Sequence, residues 1–204
     1  AASDVYKRQD PVAKKVYETT VGKTDSLEGI INNPGNAIKD SASVPMPSGP
    51  EPATTTTYAW VTTPSVANPG VYTHNVKVTL PKGAQTADNS HAIVPVTIKV
   101  RPNPPKIADD QVKLQGGLPN RSITVTDVIP GATVTLTIGT ETFTKTSTGT
   151  SVTFGPSDLK RITDTNNGLL PTGDVTVKQE KVVTTPAGGT ETLTSDLTST
   201  SITK

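Results

Sequence analysis

The chain has 204 residues, of which only 32% are apolar and 3% aromatic, and its formal net charge is +1. That length accommodates one large or two small domains, and interspersed charges with no basic tract argue against a nucleic-acid or acidic-membrane binder. Cys is absent, which excludes a disulfide, a thiol nucleophile and a thiolate metal site.

No run approaches the roughly 18 apolar residues of a membrane-spanning helix, so no membrane span is expected in this fragment. There is no signal-peptide pattern either. Val and Thr dominate the regular stretches, and their branched side chains favour pleated strands. The expected class is all-β: two tandem small β-sandwich modules, the first with one short helix.

Residues 1–10 are set apart as a non-native adapter or linker, because Asp4 to Gln9 looks like the translation of a sequencing-library adapter. Residues 16–21 read as a first strand. Thr24, Asp25, Ser26, Leu27 and Glu28 look like a helix start, with Thr24 or Asp25 as the cap and Glu28 near capping-box spacing. Leu27, Ile30 and Ile31 share one face, and Asn32-Asn33-Pro34-Gly35 ends the helix. Leu27 and Ile30 are expected to pack on the sheet that holds Trp60. Residues 36–57 are rich in Pro, Gly, Ser and Thr and read as an insertion covering a sheet edge, extended at 44–47 where each residue before Pro is pushed out of the helical region.

Residues 58–100 hold three strand-like runs separated by Pro/Gly turns. Val76, Val78 and Leu80 alternate with Lys77 and Thr79. Val94, Val96, Ile98 and Val100 alternate with Pro95, Thr97 and Lys99. This is the period of a half-buried antiparallel sheet, with Trp60 as its buried anchor.

The same stretch resembles the Rib domain, a repeat module of Gram-positive surface proteins. Tyr58, Trp60, Thr63, Pro64, Pro69, Gly70, Val76, Val78, Thr79, Pro81, Gly83, Val94, Pro95, Val96, Ile98 and Val100 sit on that family's pattern. Leu80 replaces its usual aromatic, and residues 85–92 exceed its usual turn. Val21, Gly22, Lys23, Thr24, Gly29 and Ile30 resemble the family's opening. The resemblance covers nearly half the chain and implies a Rib-like domain over 11–101.

Arg101-Pro102-Asn103-Pro104-Pro105 marks a boundary, with 102–105 as a stiff linker rising about 3.1 Å per residue. A second module is expected over 106–204. Residues 112–114 form a short strand, 116–120 a turn, and 122–128 a strand with Ile123, Val125 and Asp127 on one side. Pro130-Gly131 turns the chain. Val134, Leu136 and Ile138 alternate with Thr133, Thr135 and Thr137, and Phe143, Val152 and Phe154 mark the next strands. Residues 157–162 suit one helical turn, 174–183 a strand, and 191–203 the closing strand. About seven short strands with regular turns suggest a sandwich. Val128, Pro130, Gly131, Ala132, Val134 and Leu136 carry a phrase similar to one in bacterial immunoglobulin-like adhesin domains.

Few residues suggest chemistry. His74 and His91 have no partner at zinc-site spacing. Asp109-Asp110 supply two carboxylates, short of the six or so oxygens a calcium site needs. No nucleophile elbow, phosphate loop or His-Glu-x-x-His occurs, so no catalytic residue, metal or cofactor is assigned and no enzyme is expected. Leu170-Pro171-Thr172-Gly173 lacks the spacing of a sortase signal and reads as a turn. Similarity to wall immunoglobulin-like domains raises an internal Lys–Asn bond among Lys113, Lys145, Lys160, Lys178, Asn120, Asn166 and Asn167; surface polar groups are the plainer account. The Thr run 133–150 suits the wet face of a sheet, because no repeat of fixed length makes it an ice-binding array.

These resemblances imply a monomeric spacer or stalk of an extracellular, cell-wall-anchored adhesin, of the kind that serves adhesion and biofilm growth. Its partners would be neighbouring repeats of the same chain, and its wall anchor would lie outside this fragment. The alternative is a module that itself binds a host protein or glycan, for which the exposed-platform candidates are Trp60, Tyr6, Tyr17, Tyr58, Tyr72, Phe143 and Phe154.

Overall fold

Alternating Val and Thr produce strands wherever one face can be buried. The computed structural model describes residues 11–40, 56–80, 91–112 and 122–204. Strands form 48% of the structure and helical residues 9%, so the class is all-β. The chain divides into two compact units: one comprises the residues up to Val100 together with Thr185–Gly189, the other Arg101–Thr184 and Thr190–Lys204. Expectations for residues 1–9, 44–47, 81–83 and 113–120 lie outside the described residues.

The first unit opens with β1 (Pro11–Ala13) and β2 (Tyr17–Thr20), followed by β3 (Ile38–Asp40), β4 (Thr57–Trp60), β5 (Gly70–Thr79) and β6 (His91–Arg101). Its main sheet has the order β2-β6-β5-β4, and β1 pairs with β3 in a separate antiparallel ribbon. β5 pairs antiparallel with both neighbours, placing Val76 opposite Trp60 and Val94. Val76, Val78, Val94, Val96, Ile98 and Val100 are buried, and Lys77 and Pro95 face water. Because side chains alternate in a strand, this register puts every buried residue on one face. Tyr17, Leu27, Ile30, Ala37 and Ile38 complete that core.

The helical stretch takes a different form from the one expected. It consists of two 3-10 turns, Asp25–Leu27 and Pro34–Ala37. Thr24 makes no side-chain cap, and Glu28 adopts a left-handed conformation and pairs with Lys15 instead of closing a capping box. Four residues after Thr24 the chain has already turned, so there is no second turn of helix for a box to cap. Leu27 and Ile30 are nonetheless buried.

The second unit packs two sheets around one core. β7 (Lys106–Ile107), β8 (Ile123–Thr126) and β11 (Val152–Phe154) make one sheet, in the order β11-β8-β7. β9 (Thr133–Ile138), β10 (Glu141–Thr146), β12 (Gly173–Thr184), β13 (Thr190–Thr194) and β14 (Thr198–Ile202) make the other. β12 is its spine: β9 pairs along one side, while β13 and β14 share the other. Ile123, Val125 and Phe154 meet Val134, Leu136, Ile138, Val175, Val177 and Ile202 in the core. Leu159, Ile162 and Leu170, on and beside the one-turn helix Lys160–Thr163, also join it.

Two local expectations change here. Residues 191–203 form two strands, because Ser195 to Leu197 leave the ladder between β13 and β14. Asp127 is not a strand residue; it adopts φ 55° and pairs with Lys106 at 2.9 Å. The Pro130-Gly131 turn is closed by the Ala132 N–H donating to the Ile129 carbonyl at 3.0 Å, with Gly131 at φ 82°. That combination is a type II turn, whose third residue requires a positive φ.

Candidate functional site

The segment where the two units meet is built into the second one. Arg101 ends β6, and its guanidinium donates to the Thr194 carbonyl at 3.1 Å and to Asp196 Oδ1 at 3.0 Å. Pro102 and Pro105 are buried. The Asn103 carbonyl accepts from Gln179 Nε2 at 2.7 Å, and the Pro105 carbonyl accepts from the Thr198 hydroxyl. β7 then starts at Lys106 and pairs with β8. Within residues 102–105, expected to be a stiff linker, the Asn103 and Pro105 carbonyls are thus hydrogen-bonded to the second unit.

Gln179 is the group on which this arrangement rests, and its side chain is wholly buried. Its Oε1 accepts from the Ile129 N–H at 2.9 Å, and its Nε2 donates to Asp127 O at 3.0 Å as well as to Asn103 O. Its main chain is held by Ser195: the Gln179 N–H donates to Ser195 Oγ at 3.0 Å, and the Ser195 N–H donates to Gln179 O at 2.9 Å. A buried amide is tolerated only when its donors and acceptors are paired, and here they are. Sequence reading passed over Gln179. The available signal was its place in the alternation Val175, Val177, Gln179, an inward position occupied by a polar residue.

In the first unit Tyr58, Trp60 and Tyr72 are only partly buried, packed against the core. Trp60 is only partly buried, contrary to its expected role as a buried anchor; Tyr17, 1% exposed, occupies the centre. The reason is the indole N–H, which donates to the carbonyls of Ile30 at 2.9 Å and Ile31 at 3.2 Å. His74 lies edge-on to Trp60 with ring centroids 6.3 Å apart, and 6.1 Å from Tyr72. It bonds the backbone of Thr62, while the Tyr72 hydroxyl donates to Asn68 O at 2.9 Å and Pro69 O at 3.2 Å. These two side chains pin the loop between β4 and β5. Burial holds the His74 imidazole below its ordinary pKa, the Thr62 bond opposing in part. Tyr58 is also partly buried, and desolvation raises its hydroxyl pKa.

The remaining candidates are dispersed. Asp109 and Asp110 lie on the 3-10 turn Asp109–Gln111. His91 opens β6, far along the ladder from His74, which pairs with Val96. Among the described residues no three His, Cys, Asp or Glu side chains form a metal-holding group. Lys145 meets Asp158 at 3.0 Å, Lys160 meets Asp164, and Lys178 meets Glu180 at 3.3 Å. Asn166 Nδ2 donates to Leu169 O at 3.0 Å within its own turn, and Asn167 adopts φ 56°. None of these lysines has Asn166 or Asn167 as a partner among the described residues. Asp158 also accepts the Gly155 N–H at 2.7 Å, which with Lys145 holds its carboxyl below the usual carboxylate range.

Phe143 and Phe154 are core residues, and Leu170 of the Leu-Pro-Thr-Gly run is buried. Thr133, Thr135 and Thr137 face Thr146, Thr144 and Thr142 across β9 and β10 on the outer side of the sheet. Among the described residues no helix is long and apolar enough to cross a membrane.

No family model matches the chain, and no curated protein matches it.

Proposed function

We propose that this chain is a spacer segment of a bacterial surface protein, its first unit Rib-like and its second immunoglobulin-like. Its work is mechanical: to hold a distal binding region away from the cell wall. The Rib-like motif residues and the adhesin-like phrase around Pro130-Gly131 support the assignment of class.

The observation that carries the reading is the bonded segment after β6. From Arg101 to Lys106 the chain offers no slack, because Arg101, Asn103 and Pro105 are each hydrogen-bonded within the second unit. A segment held in this way leaves no free chain at the entrance to the second unit. A flexible tether would spend that extension as chain entropy. Strands of about ten residues span ~33 Å, which sets the length that each such module can contribute.

Small-angle scattering on residues 11–204 tests the proposal. The expected result is a maximum dimension near the sum of two modules and a stiff scattering profile. A compact particle, with the modules side by side, would overturn it.

A further inference from the structure

The first unit has a polar groove beside β4. It has a volume of about 440 Å³ and is lined by Asn32, Asn33, Pro34, Gly35, Asn36 and Tyr58. Three amides and one phenol ring meet there, with no charged side chain in the lining among the described residues. Tyr58 arrives on β4, and the others come from the 3-10 turn Pro34–Ala37 and the residues just before it.

The platform is fixed. Gly35 lies so close to the Tyr58 ring that a Cβ there would fall 2.7 Å from its Cδ2, so the backbone packs directly against the aromatic. The turn itself is held by the Asn33 N–H donating to Gly29 O at 3.0 Å and the Asn36 N–H donating to Asn33 O at 2.9 Å. Asn36 Nδ2 reaches back to Glu28 O at 3.4 Å, leaving its side-chain oxygen available. Among the described residues the amides of Asn32 and Asn33 and the hydroxyl of Tyr58 have no protein partner.

We propose that this groove is a binding subsite for a neutral saccharide, which would make the unit a contact module as well as a spacer. The reasoning is chemical. A sugar ring offers an apolar C–H face and several hydroxyls, each both donor and acceptor. Tyr58 supplies an aromatic surface for the first, and Asn amides, with a donor and an acceptor side by side, suit the second. Among the described residues the lining holds no cation to pair with a carboxylate, sulfate or phosphate, and no carboxylate to pair with an amine. Amides beside one aromatic ring suit a neutral sugar best. A shallow groove with one aromatic implies weak monovalent binding, with a Kd on the order of 1 mM; tandem copies would raise the avidity.

The test is an NMR titration of the full chain, labelled with nitrogen-15, against maltose, cellobiose, lactose and chitobiose. A sulfated heparin disaccharide serves as the anionic control. At least one neutral disaccharide is expected to give saturable shifts centred on the amides of Asn33, Gly35, Asn36 and Tyr58. Chitobiose as the ligand would indicate a wall-type amino sugar, and lactose a galactose-ended surface glycan; either supports the subsite. Asn33→Ala should weaken binding about fivefold, the worth of one exposed hydrogen bond, with the thermal transition seen by Trp60 fluorescence unchanged. Tyr58→Phe separates loss of the hydroxyl from loss of the ring. Three results would overturn the proposal: no saturable shift with any neutral sugar, shifts centred elsewhere, or tighter binding of the heparin disaccharide.

Discussion

Gln179 Nε2 donates a hydrogen bond to the carbonyl of Asn103 at 2.7 Å, across 76 positions of sequence. One wholly buried side chain on the spine strand of the second unit thus fixes the segment by which the chain enters that unit. The same amide holds Asp127 and Ile129, so three backbone stretches depend on one residue.

Gln179→Leu keeps the approximate volume and removes all three partners. The Ile129 N–H and the Asn103 and Asp127 carbonyls, all in partly buried bonds, would lose this partner, at a cost of about 1–3 kcal/mol. Urea unfolding followed by circular dichroism should show the second unit's transition at lower denaturant. Gln179→Glu should be worse at neutral pH than in acid, because an ionised carboxylate cannot donate to Asn103 and Asp127. Its burial would raise its folded pKa above the unfolded value of about 4.3, so stability is present below that value and lost as pH rises through the folded pKa. No change in either variant would mean that Gln179 does not hold the entry segment.

Trp60 is the chain's single tryptophan. Trp60→Phe removes the donor to the Ile30 and Ile31 carbonyls, and about 1–2 kcal/mol of first-unit stability should be lost. Trp60→Ala also loses the packing, at a cost near the lower end of ~3–5 kcal/mol, because the ring is only partly buried. Circular dichroism is the readout, since both variants lose the fluorophore. An equal loss from both variants would show that the indole N–H, not ring packing, is what matters.

His74 should make the first unit sensitive to mild acid. Its folded pKa lies below 6.5, chiefly through desolvation. The unfolded chain therefore binds the proton first, so stability is full above that value and falls as pH drops towards the folded pKa. The edge-on ring contact also means that protonation should quench Trp60 fluorescence. Titrating the wild type from about pH 7.5 to 5, across the imidazole range, checks both. His74→Gln should abolish the quenching step and flatten the stability profile between those limits.

Asp158 has the opposite placement in the second unit. The Gly155 N–H and then Lys145 lower its pKa from 3.8. Its stabilising contribution is present above the unfolded value and lost as pH falls through the folded one. Asp158→Asn should remove that part of the acid sensitivity, and a carboxyl NMR titration should give a midpoint below 3.8. A midpoint at or above the ordinary value would contradict the Gly155 bond.

Gly35→Ala should destabilise the first unit by about 1–3 kcal/mol, because the added carbon meets the Tyr58 ring inside contact distance. Tyr58 has to move in response, which should shift the fluorescence melt and reshape the groove. A melt identical to the wild type would mean that the ring is not packed on the Gly35 backbone.

The strand pattern was legible because it is local. Val76 to Leu80, Val94 to Val100 and Thr133 to Ile138 carry a two-residue period, and steric preference along the chain reads it without knowledge of partners. Pro130-Gly131 announced its turn for the same reason. What the amino-acid order could not decide was anything that depends on a distant group. The partners that make Gln179 a hub lie 76, 52 and 50 positions away. Trp60 sits at the rim because its N–H needs carbonyls 30 and 29 positions earlier. The short Asp25–Leu27 turn replaced a longer helix because packing against the sheet, not capping preference, decides the fate of so few residues. The groove exists only because β4 carries Tyr58 beside Asn32, Asn33 and Gly35. The sequence by itself determined the all-β class and most of the strands, since local sterics and burial period suffice for these. Only the tertiary structure decided which polar groups are satisfied, and by what, because hydrogen-bond pairing is settled between segments that meet after folding.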